Sequence, residues 1–221
     1  MNLEDLHIKL EKHLEEQSKN WKSFIYAQEK GFYQGYDEIK IDGWRPTEKR
    51  FKNYKIDKYL SKEKSVLDIG SNCGFFSIHT SKFVKEIVGI EINPFLVSIS
   101  NDTKEYLQRN NVTFYNTSFE NSDLKKKYDV IFSLANDSTI DQNTKFNFNE
   151  YIEKIRILLN DNGILIFESQ AMDNLPPSKF NQKFNVLKNF FTVLEDKIIL
   201  SEYPVNVPKR KFLVLEKNEI H

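Results

Sequence analysis

The chain has 221 residues, 39% hydrophobic and 29% charged, with 32 basic and 32 acidic side chains and a formal net charge of +0. That composition belongs to an ordinary folded domain rather than a disordered tail, and the charge balance argues against a dedicated nucleic-acid binder, which carries a basic excess. A single cysteine, Cys73, with four histidines excludes an internal disulfide and a Cys/His zinc centre.

The opening stretch "MNLEDLHIKLEKHLEEQ" is charged throughout and lacks the apolar segment of a signal peptide. No apolar run approaches the ~20 residues that span a bilayer, so a cytoplasmic location without a membrane partner is expected. Leu3, Leu6, Leu10 and Leu14 recur at helical spacing and predict an amphipathic helix, which Trp21 to Ala27 extends. The aromatic and glycine-rich stretch "EKGFYQGYDEIKIDGWRP" reads as an ordered loop. Thr47 is the expected cap of a helix running to about Leu60. Residues 1–60 are thus expected to form an amino-terminal helical cap, and 61–221 the main domain.

From Lys64 strands and helices alternate. "SVLDI", "EIVGIE", "NVTFYN", "YDVIFSL" and "ILIFES" read as strands. Gly74 to Phe83, a segment opened by Asn93-Pro94 and reaching about Arg109, and Phe148 to Leu159 read as helices. Gly163 is the expected left-handed stop after the last of these. The segments "FTVLEDKIIL" and "KFLVLEK" are joined by only "SEYPVNVPKR". That connector has no helical period and two prolines, too little for a parallel crossover, so the last two strands pair antiparallel. The expected fold class is α/β, a Rossmann-like, doubly wound, mostly parallel sheet with a reversed last strand and an amino-terminal helical extension.

Ligands of such sheets bind beyond the carboxyl ends of the strands, and a glycine turn after the first strand lets them approach the backbone. Here that turn is "GSNCG", with three residues between Gly70 and Gly74 and the middle glycine of the dinucleotide fingerprint absent. Asp68 precedes it. A carboxylate there repels a pyrophosphate and attracts a cationic, phosphate-free cofactor; S-adenosylmethionine fits, with its sulfonium and ammonium groups. Glu91 ends the second strand about twenty residues on, where an acid accepts hydrogen bonds from ribose hydroxyls.

These segments resemble the class I S-adenosylmethionine-dependent methyltransferases. "VLDIGSNCGFFS" is similar to their first motif, "VGIEINP" to their ribose-binding segment, "YDVIFSL" to their fourth-strand motif and "LLNDNGILIFES" to the following helix and fifth strand. The antiparallel end matches their reversed seventh strand. The resemblance covers about Lys64 to Lys217. It implies a cofactor set of Asp68, Gly70, Ser71, Asn72 and Gly74 in the turn, Glu91 and Ile92 after the second strand, and Leu134 at the end of the fourth. Where many members carry an acid that bonds the adenine amino group, this chain has Thr117-Ser118, so Ser118 and the backbone around Phe119 take that place. Phe95 either lines the adenine pocket or packs in the core.

Methyl transfer is an in-line displacement that needs alignment, and a hydroxyl nucleophile also needs a proton acceptor. After the fourth strand, "ANDSTIDQN" offers Asp137 as first choice for that base and Asn136 for substrate orientation. Glu168, ending the fifth strand, is second choice. Asp137 and Asp141 make an incomplete metal pair, so no metal is expected. In the preceding segment Tyr33, Gln34, Arg45 and Arg50, and in the tail Arg210, are candidate substrate-binding residues; arginines there can meet the cofactor's carboxylate or a phosphorylated or nucleotide-linked substrate. His79 reads as packing and Cys73 as a small residue touching the cofactor. "RPTEKRF", "SLANDSTID" and "FESQ" also resemble methyltransferases that modify bacterial sugars and surface polysaccharides. The leading expectation is O-methylation of a small molecule of that kind. An RNA methyltransferase and a non-catalytic S-adenosylmethionine-binding protein are the alternatives.

Overall fold

The computed structural model describes residues 1–26, 31–137, 145–171, 177–201 and 209–218. Asp141, a candidate above, lies outside them. The amino-terminal helix α1 (Leu3–Asn20) starts with a capping box. Asn2 Oδ1 accepts from the Asp5 amide at 2.8 Å, and the Asp5 carboxylate accepts from the Asn2 amide at 3.0 Å. Trp21 is extended and closes the helix, so the expected continuation towards Ala27 does not occur. Leu6 and Leu10 are buried. On the same helix Lys9 and His13 reach Asp102, at 2.6 and 2.8 Å.

The aromatic segment is more than a loop. It holds β1 (Phe32–Gly35) and β2 (Gly43–Pro46), paired parallel. The helix after it, α2 (Thr47–Tyr54), is shorter than expected. Lys55 adopts φ 54° and its N–H bonds back to the Phe51 carbonyl, a left-handed stop made by a non-glycine residue. Thr47 makes no cap; Pro46 occupies that position.

The main sheet is built from β3 (Ser65–Ile69), β4 (Glu86–Glu91), β5 (Val112–Asn116), β6 (Tyr128–Leu134), β7 (Leu159–Ala171), β8 (Phe191–Leu200) and β9 (Lys209–Lys217). Their order is β5-β4-β3-β6-β7-β9-β8, and β9 runs antiparallel to both neighbours, as expected. The helices are α3 (Phe75–Thr80), α4 (Pro94–Tyr106), α5 (Phe148–Leu158) and α6 (Pro177–Phe190). α6 has no counterpart in the sequence reading. After α5 it is Asn162, at φ 57°, that turns left-handed, not Gly163.

Every residue of β3 is buried. Side chains alternate across the sheet, so one core forms on each face. Val66, Val130, Phe132, Ile166 and Val214 join the helices α1, α3 and α4. Leu67, Ile131, Leu165 and Leu213 join α5 and Leu187 of α6. Leu6, Tyr36 and Phe51 of the first 60 residues share the former core with Phe75 and Phe76, so that segment packs directly above the turn that follows β3.

Candidate active site

The carboxyl ends of β3, β4, β6 and β7 and the start of β9 meet at one edge of the sheet. At the centre is the turn from Gly70 to Gly74. Gly70 and Gly74 hold φ of 67° and 71°, where a β-carbon is disfavoured. A β-carbon on Gly70 would also lie 2.6 Å from Asn136 Oδ1, and one on Gly74 2.5 Å from Ser100 Oγ. Asn72 shares the left-handed conformation at φ 54°.

Three side chains fix this turn. Gln34 of β1 is buried; it donates to the Ser71 carbonyl at 3.2 Å and accepts from the Phe75 amide at 3.0 Å. Asn136 donates to the Ile69 carbonyl and roofs Gly70. Glu91 accepts from the Asn72 amide at 3.0 Å and the Asn93 amide at 2.9 Å. Gln17 of α1 braces the same corner, accepting from Asn93 Nδ2 at 2.7 Å.

Gln34 and Asn136 were read as substrate-facing. Both polar atoms of Gln34 bond backbone groups of the turn, and Asn136 Nδ2 bonds the Ile69 carbonyl, so both side chains brace the turn. Asp68 is buried and accepts from Ser77 Oγ at 2.5 Å. Burial pushes its carboxyl up to about 6, against the pull of Ser77 and of Arg50. Ser71 Oγ is buried without a hydrogen-bond partner, a polar atom that a ligand in the turn can satisfy. Ile92 and Leu134 are half-buried at the same edge. Ser118 Oγ accepts from the Asn121 amide at 3.2 Å and keeps its own hydrogen to donate. The Phe119 ring is core, 5.1 Å from Tyr151, and its carbonyl takes Lys154 Nζ at 2.6 Å, so its oxygen is already occupied.

At the end of β6, Ala135 sits at φ 66°, a strained conformation for a residue with a β-carbon. It is held there because its N–H donates to the Glu168 carbonyl at 2.8 Å and its carbonyl accepts from Gln170. The consequence is that Asp137 turns inward. It is buried, its Oδ2 paired with Lys183 of α6 and its Oδ1 without a hydrogen-bond partner. Burial raises its carboxyl above the ordinary range, opposed by Lys183.

Glu168 is fully buried among arginines. Arg45 lies at 2.6 Å, Arg210 at 3.4 Å and Arg50 at 3.8 Å, and Tyr54 Oη donates at 2.7 Å. Arg45 and Arg50 also donate to Tyr54 Oη, at 3.1 and 3.0 Å. Burial alone would raise the Glu168 carboxyl; the three arginines and Tyr54 outweigh it and hold the group at about 2. A carboxylate with so little proton affinity is a poor base, so its reading as a second catalytic choice does not fit its surroundings. Tyr33 contacts Tyr26, ring centroids 5.5 Å apart. His79 packs among Phe51, Tyr36 and Phe83, and burial pushes the Cys73 thiol up.

The sequence reading missed Tyr54, Lys183, Ser77 and Gln17. Tyr54 had a signal, its i+4 spacing from Arg50 on one helix face; Lys183 had none without α6.

A family model described as "methyltransferase domain" matches residues 60–218. The chain belongs to the class I S-adenosylmethionine-dependent methyltransferases. A methyltransferase from Listeria monocytogenes of this class, described as putative, has a solved structure that superposes with TM-score 0.65 at 15% identity, covering 100% of this chain and 71% of that one. The N-methyltransferase NodS from Bradyrhizobium japonicum, solved with S-adenosyl-L-homocysteine, superposes with TM-score 0.63 at 12% identity, covering 96% and 100%. A curated relative, the putative protein N5-glutamine methyltransferase MJ0928 of Methanocaldococcus jannaschii, is 39% identical over 98 residues, 39% of this chain and 47% of that protein. The chain thus spans about half the length of that relative. Solved rRNA- and tRNA-methylating proteins share the fold too, so the fold leaves the acceptor open. Among the described residues no helix is long and apolar enough to cross a membrane, and no group of three His, Cys, Asp or Glu side chains is placed to hold a metal.

Proposed function

We propose that this methyltransferase acts on a small molecule with a hydroxyl nucleophile, of the sugar or nucleotide-linked class. The observation that carries the reading is Asp137, a buried carboxylate with one unpaired oxygen at the strand end beside the glycine turn. The donor, when bound, supplies an electrophilic methyl group on a sulfonium. The residues present fit it. Glu91 presents a carboxylate beside the turn, Asp68 supplies negative charge behind it, and Ser71 Oγ is unpaired.

The chain's own residues then divide the remaining work. Gln34 and Asn136 hold the turn backbone rigid, so alignment does not depend on loop motion. Asp137 Oδ1 accepts the hydroxyl proton as the oxygen is methylated. Lys183, paired with Asp137 Oδ2, opposes the rise that burial causes in the Asp137 carboxyl. The compositional balance of 32 basic and 32 acidic residues favours a small acceptor over RNA, whose binding relies on a basic surface.

The test is labelling. Tritiated S-adenosylmethionine is incubated with the protein and, separately, with a sugar-phosphate and nucleotide-sugar fraction or with total RNA. Label is expected in the small-molecule fraction; label in RNA alone contradicts the reading.

The pH dependence of donor binding has a defined sign. The Asp68 carboxyl is raised from 3.8 to about 6, so its folded-state stability contribution is complete below pH 3.8 and is lost as pH rises through about 6. A cationic ligand prefers the ionised form, so affinity for S-adenosylmethionine should rise between pH 5 and 7, by up to roughly tenfold. An affinity flat across that window in the wild type, measured by calorimetry, would remove Asp68 from the site.

A further inference from the structure

We propose that a cavity at the amino-terminal edge of the main sheet binds a small phosphate-bearing ligand, away from the glycine turn. This second site does not depend on the identity of the methyl acceptor.

The cavity has a volume of about 550 Å³, within the roughly 300–1,000 Å³ of small-molecule sites. Among the described residues it is lined by three cations, Lys127, Arg156 and Lys217, and one acid, Asp161. The topology brings them together. Lys127 directly precedes β6, Arg156 lies in the last turn of α5, and Asp161 belongs to the start of β7. Lys217 ends β9, which runs antiparallel to β7, so its side chain meets the first residues of β7. The turn from Gly70 to Gly74 follows the carboxyl end of β3. The two places therefore occupy opposite edges of the sheet.

The positive charge is not cancelled within the cavity. Lys217 Nζ donates to the Leu159 carbonyl at 2.8 Å and meets Asp161 at 3.4 Å. The Asp161 side chain is 85% exposed, so water screens it. The guanidinium of Arg156 lies over the Phe190 ring, 5.4 Å from its centroid, and its Nε is buried without a hydrogen-bond partner. A buried donor left unpaired is costly, and an anionic oxygen in the cavity satisfies it. The carboxyl end of α5 contributes about half a negative charge, which still leaves the lining cationic. Other acids near this edge are engaged elsewhere. Asp129 accepts from Ser65 and Asn160, and Glu86 pairs with Lys126. Glu153 of α5 and Glu216 of β9 do not line the cavity.

Three cations from three elements suit the several oxygens of a phosphate, and the planar fork of arginine matches its geometry. Ile157, 65% exposed, lines the same cavity and offers an apolar contact to an organic group carried by the phosphate. A nucleic-acid backbone is met instead by an extended basic surface, which the balanced charge of this chain does not provide.

Pyrophosphate is the probe. It is titrated into the full chain at constant ionic strength, with and without saturating S-adenosyl-L-homocysteine, and melting temperature and calorimetric heat are read. A saturable rise in melting temperature is expected, of the same size in both conditions. Arg156→Gln and Lys127→Gln should each weaken pyrophosphate binding roughly tenfold and leave S-adenosyl-L-homocysteine affinity unchanged. Lys127 is exposed, so its variant keeps the test sound if Arg156→Gln does not fold. Any of three results overturns the proposal. One is a wild type with no saturable response, which includes the case in which a single-stranded RNA oligonucleotide binds and pyrophosphate does not. Another is a response lost at saturating S-adenosyl-L-homocysteine, which puts the anion at the glycine turn. The third is a response that Lys127→Gln and Arg156→Gln both leave intact.

Discussion

Glu168→Ala is expected to lower the unfolding free energy by about 3–5 kcal/mol. The reason is the company the carboxylate keeps. Glu168 is fully buried and is the shared counter-ion of three arginines. Removing it leaves those arginines facing one another in a region water does not reach. Breaking a buried pair from one side is among the most destabilising single changes. For a chain of this size the loss corresponds to a fall in melting temperature of roughly 6–20 °C, read by calorimetry. The pH dependence follows the same logic. The folded carboxyl is held at about 2, below its ordinary 4.5, so its contribution is complete above pH 4.5 and is lost as pH falls towards 2. A variant as stable as the wild type would show that the cluster is not ion-paired in solution.

Asp137→Asn is expected to cut turnover by roughly 100- to 10,000-fold, the range for loss of one general base. The substitution keeps the shape of the side chain and removes its capacity to take a proton. Affinity for S-adenosyl-L-homocysteine should change little, because Asp137 lies beyond the turn that we propose holds the donor. Lys183→Met provides an independent check. Lys183 pulls the Asp137 carboxyl down against burial, so its removal should move the acid limb of the pH–rate profile to higher pH. Asp137 is a structural turn residue if Asp137→Asn retains full turnover and the profile of Lys183→Met does not move.

The sheet was legible in the sequence for a physical reason. Strands buried on both faces must be nearly continuous in apolar residues, and "SVLDI" and "YDVIFSL" are. The reversed strand β9 followed from connector length alone. Helix ends were less legible: Lys55 and Asn162 adopt left-handed conformations that glycine takes more readily, so residue type misplaced both boundaries. The ribbon of β1 and β2 was missed because four-residue strands are too short to show a period of two. α6 carries Phe180, Phe184 and Leu187 at helical spacing, a signal that a polar composition obscured.

The site divided along similar lines. Asp68, Gly70, Gly74 and Glu91 could be singled out because their roles depend on position along a strand or turn. The hydrogen-bond partners of Gln34, Asn136 and Glu168 could not be read, since they lie 41, 67 and 123 residues away in the chain. A side chain drawn from a distant element takes its role from what it meets, and a local motif does not record that.

The central claim is that the turn after β3, with Asp68 and Glu91, holds the methyl donor. Calorimetric titration of S-adenosyl-L-homocysteine into the wild type, Asp68→Ala and Glu91→Ala tests it most directly. Saturable binding by the wild type is predicted, weakened roughly tenfold or more in each variant. No binding by the wild type at about millimolar ligand, or equal affinity in all three proteins, would contradict it.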